Sequence, residues 1–341
     1  MLHFHQTEST FFVDETLLHP PEGSGPFVFA YFRKRGLSTQ RLKQKLSEMT
    51  GVPLAHIGHA GLKDHLSTSG QWLSWPAEKQ RNAPAQRGEN YEILRISRGA
   101  QSLKPGLVAA NHFQLTLISD QPQQDRARLL HTRRFPNFFG PQRFGSAVYQ
   151  DHLDAFWPRR ARSKGKRAMA VSVLQAFLFN RFLQKRLTDF RLDEHELWQK
   201  QGAKRHFQAT LEEAEPRFEA GEISPSGPMF GYKTTLTAEE TAFLEQQGKS
   251  SEDFREFGKV ALGTRRPLFV TAEDCRVTQS DDHQLQWHFV LPSGAYATVY
   301  LAWLLQQARM MLPMRHWPNY SRPVYFSEDP AWNRQATSPG S

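Results

Sequence analysis

The sequence predicts an α+β fold in which a body of strands and helices is interrupted by a mostly helical insertion. Strand-like apolar runs surrounding one well-delimited helix fill the region before residue 119. Amphipathic helical and Glu-, Gln- and Lys-rich sequence follows, from about residue 170 to 260. Strand-like sequence then returns at 285–291, ahead of an apolar helix predicted over 298–312.

Taken in order, Phe11-Phe12-Val13 opens a first apolar segment, and the Pro- and Gly-rich stretch 20–26 is a turn. The continuous apolar run 27–32 reads as a strand. Ser38 and Thr39 are candidate N-caps of a helix whose Leu42, Leu46 and Met49 share one face, ended by Gly51 and Pro53. Residues 55–61 form a short strand and turn leading into Lys63-Asp64, and 91–96 is another strand. In 112–118 the alternation places Phe113, Leu115 and Leu117 on one side. Leu174, Phe177, Leu178 and Phe182 follow helical spacing, whereas 186–260 reads as mainly helical and irregular.

Composition narrows the function. With 341 residues the chain is long enough for two domains, and 39% hydrophobic against 23% charged residues are globular proportions. The lone Cys275 excludes a disulfide framework and any zinc site built on several cysteines. MLHFHQTEST has neither a basic n-region nor an apolar core, so no signal peptide is expected. The apolar run 299–305 is far too short to span a bilayer, and a cytoplasmic protein is expected. A net charge of +9 favours a polyanionic partner such as RNA or DNA.

Three segments set polar residues among glycines and apolar side chains. In His59-Ala60-Gly61-Leu62-Lys63-Asp64-His65, continuing to Gln71-Trp72, an acid follows a strand beside a lysine. It reads either as an ionised group held in a cleft or as an ordinary turn aspartate. Asn137, Phe139, Gln142 and Arg143 belong to NFFGPQRFG, whose mixture suits hydrogen bonding to and stacking on a planar base. An aromatic-clamped structural loop is the alternative. Leu291-Pro292-Ser293-Gly294-Ala295-Tyr296 is a turn at the start of a helix, where backbone donors meet phosphates or bases.

The run RRARSKGKR at 159–167 has six basic residues and no acid. It is either a solvated linker or an RNA-contacting arm, with Arg159, Arg160, Arg162, Lys164, Lys166 and Arg167 on phosphates. His56, His59 and His65 lack the spacing and partners of a metal site, so no metal is expected. No GxxxxGK[ST], GxGxxG or GxSxG motif is present, which argues against an ATPase, a dinucleotide enzyme and an α/β-hydrolase.

GLKD with Gln71-Trp72, NFFGPQRFG and LPSGAYAT, in that order, resemble the TruD family of tRNA pseudouridine synthases. Phe11-Phe12-Val13-Asp14-Glu15, the helix ending in Leu178-Phe179-Asn180, Ser226-Gly227-Pro228-Met229-Phe230-Gly231 and Arg265-Arg266-Pro267-Leu268 extend the resemblance over about residues 5–305. The resemblance implies the pseudouridine-synthase catalytic fold, a largely antiparallel mixed sheet flanked by helices. It would be built from residues 1–155 and 270–325, with a mostly helical TruD-type insertion at 156–269 and a loosely held tail at 326–341. It implies isomerisation of a tRNA uridine in the D-arm region, position 13 in the usual tRNA numbering, with no cofactor and no obligatory protein partner. Asp64 would be the catalytic carboxylate and Phe139 the ring stacking on uracil. Asn137 would be the polar partner of the site and Phe11 its lining, with Lys63, Gln71, Gln142 and Arg143 as neighbours. His5 stands where the family usually carries a lysine, six residues before Phe11. That departure favours the rival reading, a TruD-like RNA-binding or RNA-folding protein without turnover.

Overall fold

The computed structural model of the chain describes residues 2–140, 143–144, 157, 164–203, 205–279, 281–305 and 325–327. The first stretch holds β1 (Leu2–His5), β2 (Phe11–Leu17), β3 (Phe27–Arg35), α1 (Thr39–Thr50), β4 (Gly58–His59), β5 (Thr68–Pro76), β6 (Arg87–Gly88), β7 (Tyr91–Gly99), β8 (Val108–Ser119) and α2 (Pro122–His131). Then come β9 (Arg134–Pro136), α3 (Lys164–Thr188), β10 (Trp198–Lys200), β11 (His206–Phe207), α4 (Leu211–Glu219), β12 (Ile223–Met229), α5 (Ala238–Gln246), β13 (Thr264–Pro267) and β14 (Phe269–Thr271). The chain closes with β15 (Glu273–Gln279), β16 (Gln284–Pro292), α6 (Ala297–Leu304) and β17 (Tyr325–Ser327).

These elements form two compact units. Among the described residues, the first comprises those up to His131, Ala272–Ser293 and β17. The second comprises those of Thr132–Thr271 and residues 294–305. Compactness thus parts the described chain after His131, Thr271 and Ser293, so the NFFG segment and α6 fold with the residues of the expected insertion.

The first unit is an eleven-stranded sheet in the order β15-β16-β8-β2-β5-β3-β7-β6, with β1 joined to β8 and β17, and β4 to β5. The β2–β5 pair is parallel and the others are antiparallel. Helix α1 lies where the sequence places it. The Ser38 hydroxyl caps it by accepting from the Arg41 N–H, and Gly51 ends it at φ 73°, a left-handed conformation that glycine adopts without cost. Its Leu42 and Leu46, one turn apart, pack with Val28, Ala30 and Phe32 of β3, Leu73 and Trp75 of β5 and Ile93 of β7. Phe29, on the other side of β3, packs with Leu17, Ala60, Leu103 and Val108. Alternation in β8 buries Phe113, Leu115 and Leu117 as expected.

The second unit has a four-stranded sheet, β11-β10-β12-β13, and the pair β14-β9. Stretch 186–260, read as helical and irregular, therefore also contributes three strands, β10, β11 and β12. Strand β12, ISPSGPM, is buried along its whole length. Its two prolines and glycine argue against a strand by propensity. Gly227 is needed because a Cβ there would meet Leu268 Cδ2 at 2.7 Å and the rings of Phe179 and Phe182 at 3.2 Å. These two rings belong to α3, whose Leu174, Phe177 and Leu178 are buried as the helical spacing predicts. The apolar helix expected over 298–312 is observed as α6, residues 306–312 lying outside the described set. Of the expected loose tail, Phe326 and Ser327 belong to β17 and pair with Phe4 and His3 of β1. No helix of the described residues is long and apolar enough to cross a membrane.

Within the second unit Arg265 and Glu240 form a two-point ion pair, side chains 2% and 3% exposed, and Arg265 also donates to Ser226 and Thr235. Glu240→Ala leaves that guanidinium buried without its counter-charge and is expected to cost about 3–5 kcal/mol in urea unfolding. Breaking the exposed Arg87–Glu92 pair should cost less than about 1 kcal/mol. Equal losses would show that the buried pair carries no special weight.

Candidate active site

In the first unit the chemistry gathers around the loop between β4 and β5. Lys63 turns inward, 8% exposed, and its Nζ donates to Glu15 Oε2 at 2.8 Å and Asn111 Oδ1 at 3.0 Å. The other Glu15 oxygen accepts from the Trp72 N–H at 2.7 Å. The start of α1 holds the same loop by its backbone. Thr39 Oγ1 accepts from the Lys63 N–H at 2.8 Å, and the Thr39 N–H donates to the Lys63 carbonyl at 3.2 Å. Gln71, fully buried, accepts from Thr39 Oγ1 at 2.9 Å. Its Nε2 has no partner among the described residues.

Asp64 follows Lys63 and is exposed. Among the described residues its carboxylate makes no hydrogen bond and no ion pair; only its carbonyl is engaged, by Lys34 Nζ and Ser67 Oγ. Surrounding protein withdraws enough water to raise the Asp64 carboxyl above the ordinary aspartate value of 3.8, while Lys34, His65 and Lys63, in that order, pull it back. The side chain of Asp64 still reaches solvent, where a substrate can touch it, while the mass of protein around it raises its pKa. An accessible, unpaired carboxylate beside two lysines and a histidine suits a nucleophile or a general base.

In the second unit the centre is Arg266. Its Nε donates to the Asn137 carbonyl at 3.1 Å and its Nη2 to Asn137 Oδ1 and, at 3.0 Å, to the Gly294 carbonyl. Its guanidinium lies 4.0 Å from the centroid of the Phe139 ring. Burial lowers its pKa to about 10, which leaves it cationic at neutral pH. Asn137 Nδ2 donates to the Pro267 carbonyl at 2.9 Å, so each end of that amide is engaged inside the protein. Asn180 fixes the Phe139 backbone at both its N–H and its carbonyl, at 2.8 and 2.9 Å. The Phe139 ring is half-buried and meets Phe179 and Tyr296 edge-on.

The remaining residues singled out in the sequence have different settings. Phe11 is 9% exposed, with its ring 6.2 Å from that of Phe4 and 5.9 Å from that of Phe113, so it is part of the sheet's core. Arg143 is half-exposed and its Nε is buried without a partner among the described residues. Gln142, Arg159, Arg160 and Arg162 lie outside the described residues, as does the Lys164 side chain. Lys166 and Arg167 stand in the first turn of α3, not in a linker, and Arg167 donates to the Glu256 carbonyl and lies over the Phe257 ring. The sequence gives no site role to Lys34 or Arg266, and Thr39 stood out only as a candidate N-cap. Arg266 lay within a segment noticed for its resemblance, and Asn180 within a helix marked by its spacing and by the resemblance.

A family profile described as tRNA pseudouridine synthase D (TruD) matches residues 3–155 and 162–302. A tRNA pseudouridine synthase D of Anaeromyxobacter sp. (strain Fw109-5) is 34% identical over 316 residues, covering 87% of this chain and 90% of that protein. One of Methylococcus capsulatus is 31% identical, with 87% and 88% covered. A solved Methanosarcina mazei structure, which carries the same name as a provisional assignment, shares the fold with a TM-score of 0.62 at 20% identity, over 88% of this chain and 93% of that one.

Gly61 has no room for a side chain, since a Cβ would lie 2.9 Å from Lys63 Nζ and 3.0 Å from Glu15 Oε2. Gly61→Ala is expected to lose about 1–3 kcal/mol in thermal unfolding. Gly165→Ala, in α3 with open space around it, should gain about 0.5–1 kcal/mol. A harmless Gly61→Ala would mean that the ion pair does not fill that space.

Proposed function

The chain belongs to the TruD family of tRNA pseudouridine synthases, and from that premise we propose that it isomerises a D-arm uridine, position 13 in the usual tRNA numbering, with Asp64 as the catalytic carboxylate. It is thus an RNA-modifying isomerase. Uridine and pseudouridine have the same atoms: the N1–C1′ bond breaks, the uracil turns, a C5–C1′ bond forms, the C5 proton leaves and N1 takes up a proton. No electrons or groups are gained or lost, so a positioned carboxylate suffices and no cofactor is required. Asp64 serves either as nucleophile or as base on the ribose.

The observation that carries this reading is the unspent Asp64 carboxylate. A protein that only bound RNA would gain nothing from an unpaired acid beside a polyanion. The target base must leave its stack to react, at a cost of a few kcal/mol. Phe139 supplies a ring face for it, opposite the face that Arg266 covers, and Asn137 acts through its hold on Arg266. Lys166 and its basic neighbours at 159–167 supply phosphate contacts, and the enzyme works in the cytoplasm, where tRNA is found. Residues 1–155 and 270–325 form the catalytic body and 156–269 the insertion, a division by chemistry that cuts across the compact units.

Asp64→Asn should abolish pseudouridine formation in base-resolved mapping of tRNA while leaving tRNA binding within about twofold. Retention of a substantial rate would remove Asp64 from the chemistry. The native pKa of Asp64 lies above its ordinary value, so the wild-type rate should fall as pH drops through a point above 3.8.

Phe139→Leu should cost about 1 kcal/mol of stability, the worth of its cation–π contact. It should cost activity equivalent to about 1–3 kcal/mol. Phe144, 5% exposed, is the control: its Leu variant should lose stability with no separate loss of rate. Matching behaviour of the two variants would make Phe139 a packing residue.

A further inference from the structure

Strand β3 points Val28, Ala30 and Phe32 into the apolar layer under α1, and the next position on that side is Lys34. The pattern calls for an apolar residue there. Lys34 is 1% exposed, its Nζ donates to the carbonyls of Leu37 and, at 3.3 Å, of Asp64, and it makes no ion pair among the described residues. Opposite it in the β3–β5 register stands Ser69, buried, with an Oγ that has no partner among the described residues.

We propose that Lys34 is the counter-charge of Asp64, a positioning residue that holds the Asp64 main chain by its carbonyl and keeps the neighbouring carboxylate ionised. This rests on the assignment of Asp64 as the catalytic carboxylate. The charged groups around Lys34 are Asp64, Lys63 and Glu15, with His65 also acting on Asp64. Lys63 and Glu15 neutralise each other at 2.8 Å, and His65 is exposed. Lys34 thus has Asp64 as its unspent anion, and it is the largest of the influences that draw that carboxyl down. His5 does not supply this charge, because burial lowers its pKa and favours the neutral ring.

Lys34 itself pays for its place. Burial pulls its ammonium down to about 8. A base whose native pKa lies below its unfolded value binds fewer protons when folded, so the charge opposes folding at neutral pH and that cost fades as pH rises from about 8 towards 10.5. A group that costs stability and breaks the strand pattern calls for a functional reason.

The test is single-turnover pseudouridine formation on a tRNA transcript from pH 5 to 9, with thermal melts and tRNA binding, for wild type, Lys34→Met, Lys34→Gln and Asp64→Asn. Met fills the space without charge, and Gln keeps an N–H donor without charge. Both variants should shift the acid limb of the profile upward by about one unit, so their rates relative to wild type fall by up to about tenfold down the acid limb while the rate at pH 8 stays within about threefold. Melting temperatures should be equal to or above wild type, and tRNA binding should stay within about twofold. A uniform loss at all pH values, or an unmoved acid limb in whichever of the two variants folds, overturns the role of Lys34. Activity retained by Asp64→Asn would instead overturn the assignment of Asp64, which separates the two failures.

Discussion

The arrangement of the first unit depends on one ion pair, Lys63 with Glu15. The two side chains are 6% and 0% exposed, and both charges are satisfied further, by Asn111 and by the Trp72 N–H. Charges taken out of water need such complete partnering, since either one left alone would cost several kcal/mol. The pair ties the β4–β5 loop to β2, β5 and β8, three neighbours in the sheet. It also decides which way the loop residues face. With Lys63 turned inward, Leu62 and Asp64 on either side of it face outward; Leu62 is 72% exposed. Asp64 is therefore presented to solvent by the burial of the residue before it.

A second network of fully engaged polar groups surrounds Phe139 in the second unit. Arg266 joins Asn137, Gly294 and the face of Phe139, while Asn180 closes on both backbone groups of Phe139. An aromatic ring fixed at its backbone and covered on one face loses little entropy when a flat ligand stacks on the other. Asn137, expected from its residue type to meet a base, is spent on holding Arg266 and the Pro267 carbonyl.

How much of this was legible in the sequence depends on whether the determinants are local. The strand at β3, the helix α1 with its Ser38 and Gly51 ends and the alternation of β8 follow from periodicity and capping, which are short-range. Strand β12 was not legible, because ISPSGPM is a strand only where β10, β13 and the rings of α3 surround it. At the site, Asp64 stood out in its motif. The partners that define its setting come from elsewhere: Lys34 is thirty residues away, and Glu15 is forty-eight from Lys63. Gln71 belongs to the same motif and Phe11 to another segment of the resemblance, yet both are buried, so a motif marks the neighbourhood of a site without saying which side chains reach its surface.

The chemistry turns on the Asp64 carboxyl, whose pKa burial raises and Lys34, His65 and Lys63 draw back. Carbon-13 titration of aspartate carboxyls in the free protein, assigned by loss of one resonance in Asp64→Asn, measures it directly. The expected midpoint lies above 3.8. A midpoint at or below 3.8 would contradict a carboxyl raised by the protein around it.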